Sequence, residues 1–146
     1  MKIALSNDHG GTELKLFISD YLKKLNYEII NMGTNTNVSV DYPDYAFSVA
    51  RLFKEKSIDY GILVCGSGIG ISIAANRYSH IRAALCNDVK SCELSRLHNN
   101  ANVLVLGGRI IKHNTALNCV DKFLSTEFEG GRHIRRIDKL SNPPLL

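Results

Sequence analysis

The chain has 146 residues, 45% hydrophobic and 22% charged, with a net charge of +4. That length suits one domain with a real core, and no apolar run approaches the roughly 18 residues of a membrane span. The charge is too mild to argue by itself for nucleic acid, and the cysteines at 65, 86, 92 and 119 form no C-x-x-C pair, so reduced thiols are expected rather than disulfides or a zinc site.

Residues 2–6 read as a short strand. Lys2 is followed by only three apolar residues before Ser6 and Asp8, which is not a secretory signal, so a soluble cytoplasmic protein is expected. Leu14, Phe17, Ile18, Tyr21, Leu22 and Leu25 recur at helical spacing over residues 13–25. A second strand covers 28–32 and ends at Gly33. Ala46, Phe47, Val49, Ala50, Leu52 and Phe53 predict a helix over 44–56. A third strand, 60–64, is followed by a helix opening at 71–76. The fourth and fifth strands, 82–86 and 103–106, are followed by helical segments at 89–97 and 115–124. The chain reads as one domain over 1–146, with a C-terminal arm from about residue 138. The stretch Ser141-Asn142-Pro143-Pro144 cannot be helical across its prolines.

Strands alternating with helices predict an α/β fold with a five-stranded parallel sheet covered on both faces and right-handed crossovers. Ligands of such folds bind beyond the carboxyl ends of the strands. The residues there are Asn7-Asp8-His9-Gly10-Gly11, Cys65-Gly66-Ser67-Gly68-Ile69-Gly70, Asn87-Asp88 and Gly107-Gly108-Arg109. Arg132, Arg135, Arg136 and Lys139 crowd the C-terminal end. That crowding fits nucleic acid, an anionic small molecule or a solvated tail.

The glycine turn after the third strand excludes several chemistries by spacing. A nucleotide P-loop needs G-x-x-x-x-G-K-[ST], and no lysine occurs between Gly66 and Lys90. The dinucleotide pattern G-x-G-x-x-G fails because Ile71 holds the third glycine position. A thiol phosphatase would want an arginine six positions after the cysteine, where Ile71 again stands. Two readings survive. One is a cradle of backbone donors beside a reactive thiol, suited to a developing oxyanion; the other is a buried strand-end cysteine.

Asp8-His9, the run from Cys65 to Asn76, His98-Asn99 and Gly130-Gly131-Arg132-His133 together resemble the B-type ribose-5-phosphate isomerases, relatives of the galactose-6-phosphate isomerase subunits. The likeness runs from Met1 to about Ile137. It implies a Rossmann-like three-layer α/β/α sandwich that forms a homodimer or a pair of dimers, with active sites shared between subunits. It also implies a sugar-phosphate substrate, no metal or organic cofactor, and no nucleic-acid or membrane partner.

By the same resemblance, Cys65 is the base, and Ile71 stands where relatives lacking the cysteine carry glutamate. The amides of Gly66, Ser67, Gly68, Ile69 and Gly70 form the anion hole for an enediolate, and Ser67 helps move a proton between oxygens. His98 opens the sugar ring; an imidazole suits that task because it exchanges a proton near neutrality. Asn99 binds a hydroxyl or supports the hole. Asp8 and His9 bind substrate, with Tyr42 lining the same cleft. Arg109, Arg132 and Arg136 hold the phosphate with guanidinium forks, which also accounts for the basic cluster. His133 either touches phosphate or packs. His80 and His113 match no catalytic position, and Cys86, Cys92 and Cys119 read as core or helix-face residues. The implied reaction interconverts ribose 5-phosphate and ribulose 5-phosphate in the pentose phosphate pathway. The alternatives are a six-carbon substrate, allose or galactose 6-phosphate, and a non-catalytic sugar-phosphate-binding module.

Overall fold

Ile62, Leu63 and Val64 form an unbroken apolar run, as do Leu104, Val105 and Leu106, and all six are fully buried. Strands without alternation of apolar and polar residues need cover on both faces. In the computed structural model, which describes residues 1–144, that cover is present. The strands are β1 (Lys2–Asn7), β2 (Glu28–Asn31), β3 (Tyr60–Cys65), β4 (Ala83–Leu85) and β5 (Val103–Gly107). They pair in parallel in the order β2-β1-β3-β5-β4. The helices are α1 (Thr12–Lys24), α2 (Tyr42–Lys54), α3 (Ile69–Ala75), α4 (Val89–Asn99), α5 (His113–Ser125) and α6 (Ile134–Ser141).

Successive strand side chains point to opposite faces, so the strands divide their apolar residues between two cores. Ile3, Leu5, Ile62, Val64, Leu104 and Leu106 pack with α1, α4 and α5 through Leu14, Ile18, Cys92, Val120 and Phe123. Ala4, Leu63, Cys65 and Val105 pack on the other side with α2 and α3 through Ala46, Val49, Ile71 and Ala75. The result is the expected α/β/α sandwich. Cys86, Cys92 and Cys119 are buried in the first core as free thiols.

Several boundaries differ from the expected ones by a residue or two, and two differences have identifiable reasons. Helix α2 starts at Tyr42, with Pro43 in its first turn, where a fixed φ and a missing N–H do no harm. The chain expected to leave the fold as an arm near residue 138 stays helical to Ser141, because Ile137 is buried and the prolines act only beyond Asn142. The last two positions of that arm, 145 and 146, lie outside the described residues. Among those residues, no helix is long and apolar enough to cross a membrane.

Candidate active site

Strand order reverses between β1 and β3: the chain moves from β1 to β2 on one side, then crosses to β3 on the other. Loops leaving neighbouring strands in opposite directions open a crevice at such a point. Here the crevice is a cavity of about 350 Å³ lined by Asp8, Tyr42, Cys65, Gly66, Ser67, Gly70, Arg109 and Ile110. Three loops meet around it. The Asp8 N–H donates to Val64 O (3.2 Å), Gly108 N–H to Cys65 O (2.8 Å) and Arg109 N–H to Gly66 O (2.9 Å). The approach is close enough that a Cβ on Gly10 would lie 2.8 Å from the Gly66 nitrogen.

Cys65 ends β3 with its side chain 4% exposed, and its Sγ accepts the Gly68 N–H at 3.2 Å. The turn aims that amide at the sulfur because Gly68 adopts φ 79°, ψ −15°, a left-handed conformation that residues with a Cβ resist. Helix α3 begins at Ile69, so its first-turn amides have no acceptor within the helix. Ser67 is exposed, and its Oγ accepts the Ile69 N–H at 3.2 Å. Asp8 is 6% exposed, and its Oδ1 accepts the Gly10 N–H at 2.9 Å. Arg109 is exposed beside Gly66, so its guanidinium faces the cavity from solvent.

His9 is half-buried at the start of the turn that leads into α1. Its Nδ1 lies 3.2 Å from the Val40 backbone nitrogen. A backbone amide can only donate, so Nδ1 accepts, and in the neutral ring Nε2 carries the proton. The loop that supplies Val40 is anchored by Thr12 Oγ1, which donates to Thr36 O at 3.0 Å, and by Lys15 Nζ, which donates to Asn35 Oδ1 at 2.6 Å. Lys15 is buried, and burial holds its pKa below the usual lysine value.

The remaining expected residues stand elsewhere. Helix α4 starts beyond the carboxyl end of β4 and runs back to the amino end of β5, a distance of roughly 16 Å for 11 residues. His98 and Asn99 close that helix, so they lie at the opposite edge of the sheet from Cys65. Asp88 caps the same helix: its Oδ1 accepts the Ser91 N–H at 2.8 Å, and that bond holds its carboxyl below the usual range. Asn99 lines a separate cavity of about 420 Å³ with Arg82 and Leu140. Arg132 and Arg136 are exposed on the short turn Gly131–His133 and on α6. A bond from Glu129 N–H to Leu97 O (3.1 Å) ties this segment to the end of α4.

Sequence reasoning missed two members of these groups. Ile110 lines the Cys65 cavity, and its nearness to Arg109 was the available signal. Glu129 reaches two histidines with one oxygen: its Oε2 is 3.8 Å from His98 Nε2 and 3.6 Å from His133 Nε2. Those two rings stack with centroids 4.5 Å apart. His133 is buried, and burial first, then the adjacent His98, Arg132 and Arg136, hold its pKa below the usual histidine value against the pull of Glu129. Glu129 and His133 are four residues apart, but no local pattern ties either to His98.

Residues 3–140 match the Ribose/Galactose Isomerase family. Ribose-5-phosphate isomerase B of Escherichia coli is 43% identical over 140 residues, covering 96% of this chain and 94% of the relative. The solved ribose-5-phosphate isomerase B of Clostridium thermocellum superposes with a TM-score of 0.95 at 50% identity, covering 97% of this chain and 95% of that one. The enzyme of Mycoplasma genitalium, solved with bound ribulose-5-phosphate, superposes with a TM-score of 0.90 at 43% identity, covering 96% and 93%.

Proposed function

The chain belongs to the ribose/galactose isomerase family, and from that premise we propose that it interconverts D-ribose 5-phosphate and D-ribulose 5-phosphate, a step of the pentose phosphate pathway in the cytoplasm. The observation that carries this reading is the convergence of Cys65, its amide turn, Asp8 and Arg109 on one cavity at the switch point of the sheet. The sulfur of Cys65 takes a proton from one sugar carbon, C1 or C2, and returns it to the other. Moving that proton leaves an enediolate whose oxygens carry the developing charge. Fixed amides at the turn stabilise such charge without reorganising. Ser67 passes a proton between the two oxygens, and the reaction balances with no change of oxidation level overall. Arg109 supplies a guanidinium for the phosphate, while Asp8 and the Nε2–H of His9 address sugar hydroxyls.

His98, Asn99, Arg132 and Arg136 are assigned to the same reaction but stand at the far edge of their own chain. A second copy that presents this edge to the Cys65 cavity completes the site, so the working enzyme is a homodimer, or a pair of dimers, with shared active sites. The apolar surface beside the cavity supports that arrangement: Ile69 and Ile73, one helical turn apart on α3, are 55% and 61% exposed, and a second chain removes such surface from water.

The direct test is turnover by the purified protein of ribose 5-phosphate, with allose 6-phosphate and galactose 6-phosphate alongside. Preference for the pentose is the expected result. Preference for a six-carbon sugar moves the substrate to the alternative, and no turnover of any sugar phosphate by folded protein leaves only a binding module.

A further inference from the structure

We propose that His98, Glu129 and His133 form a binding site for a divalent transition-metal cation of the zinc class, and that its occupation silences His98. One ligand atom from each of the three lies within 4.8 Å of the others. Tetrahedral zinc with bonds of about 2.0–2.1 Å holds its ligand atoms roughly 3.4 Å apart. The Nε2–Oε2 separations of 3.8 Å and 3.6 Å therefore need to close by only a few tenths of an ångström. The second observation is His133 Nε2, a buried nitrogen with no hydrogen-bond partner, on a side chain 6% exposed and aimed at the carboxylate. Buried polar atoms are normally satisfied, and a metal ion satisfies this one.

Access and chemistry agree with that assignment. In a single chain Glu129 is 55% exposed and His98 38% exposed, so a fourth position stays open for water or for a group of the second copy, as three-ligand zinc sites keep one. Two imidazoles and one carboxylate suit zinc and its neighbours better than magnesium or calcium. The two rings are stacked and nearly parallel, 16° apart, so their in-plane lone pairs lie in separate planes and one ring must turn to share an ion. His98, at the exposed end of α4, has the room. Arg132 and Arg136, both exposed on the adjoining turn and helix, oppose a cation. Glu129 contributes the compensating negative charge. Binding is a property of these three groups alone; the loss of activity rests on the ring-opening role proposed for His98.

The test is calorimetric titration of the full chain with Zn²⁺, repeated with Co²⁺ and read by its visible absorption. One ion per chain is expected. Exposed Glu129→Gln, checked for fold by circular dichroism, and His133→Asn should each weaken binding about tenfold or more, since even outer-shell changes around a metal cost about 10–100-fold. Cys65→Ser should leave the affinity unchanged. Zn²⁺ should inhibit turnover of ribose 5-phosphate by the wild type and much less by Glu129→Gln. Absence of saturable binding, affinity unaffected by Glu129→Gln and His133→Asn, or affinity lost in Cys65→Ser would overturn the site. Specific binding with turnover intact would uphold the site and remove His98 as ring opener.

Discussion

Replacing Gly68 by alanine tests whether the turn after β3 is shaped around the sulfur of Cys65. At φ 79°, a residue with a Cβ bears a left-handed penalty of about 1–2 kcal/mol. The added carbon would lie 2.5 Å from Leu85 Cδ1 and 3.1 Å from both Gly107 N and Leu106 C. The leucine methyl can swing aside; the β5 backbone cannot, so the turn itself must shift, at the roughly 1–3 kcal/mol typical of overpacking. The combined loss is about 2–5 kcal/mol, a fall in Tm on the order of 10 °C for a chain of this size. The same shift draws the Gly68 amide away from Sγ, now 3.2 Å distant, and losing one preorganised donor costs roughly 10²–10³ in kcat. Urea unfolding measures the first effect and initial rates on ribose 5-phosphate the second. Gly66→Ala is the stability control. Gly66 is not left-handed, and the three atoms nearest its Cβ would all belong to the exposed Arg109 side chain, the first at 3.3 Å, so its loss should stay within about 1 kcal/mol. If Gly68→Ala matched this control in stability and kept kcat within about twofold, the account of the turn would be wrong.

Cys65→Ala and His98→Asn should each abolish turnover as homogeneous protein, yet mixing and refolding the two together should restore about a quarter of wild-type activity, because half of randomly paired dimers carry one intact shared site; no recovery would place both groups in one subunit's site. Arg132→Ala should raise KM for ribose 5-phosphate about tenfold or more with a smaller effect on kcat, the signature of lost phosphate binding, and an unchanged KM would assign Arg132 to structure. Stability should fall on acidification through about pH 6.5, because the folded state holds His133 below its unfolded pKa and the unfolded chain then binds the extra proton. Arg132, Arg136 and His98 strengthen that dependence and Glu129 weakens it; urea midpoints at pH 5 and 7 should lie closer together in His133→Gln than in the wild type.

Much of the fold was legible because its causes are local. The apolar runs in β3 and β5 mark buried strands whatever surrounds them, and the helical spacing of Leu14, Ile18 and Leu22 marks the buried stripe of α1. Cys65 and its glycine turn were legible for the same reason, since backbone freedom and a strand end are set by adjacent residues. The end of the chain carries a weaker local signal. The prolines at 143 and 144 mark only where a helix must stop; the helix before them, to Ser141, buries Ile137.

The residues by themselves determined the element sequence, the parallel sheet and the edge at which Cys65, Asp8 and Arg109 emerge, because period, chain direction and turn chemistry act over a few positions. Tertiary structure alone decided that His98 and Arg132 lie at the other edge of the sheet, and that one oxygen of Glu129 lies near both of two stacked imidazoles. Those facts depend on which way each helix returns across the sheet and on what packs at its end. Residues remote along the chain meet only there, and no local spacing records the meeting.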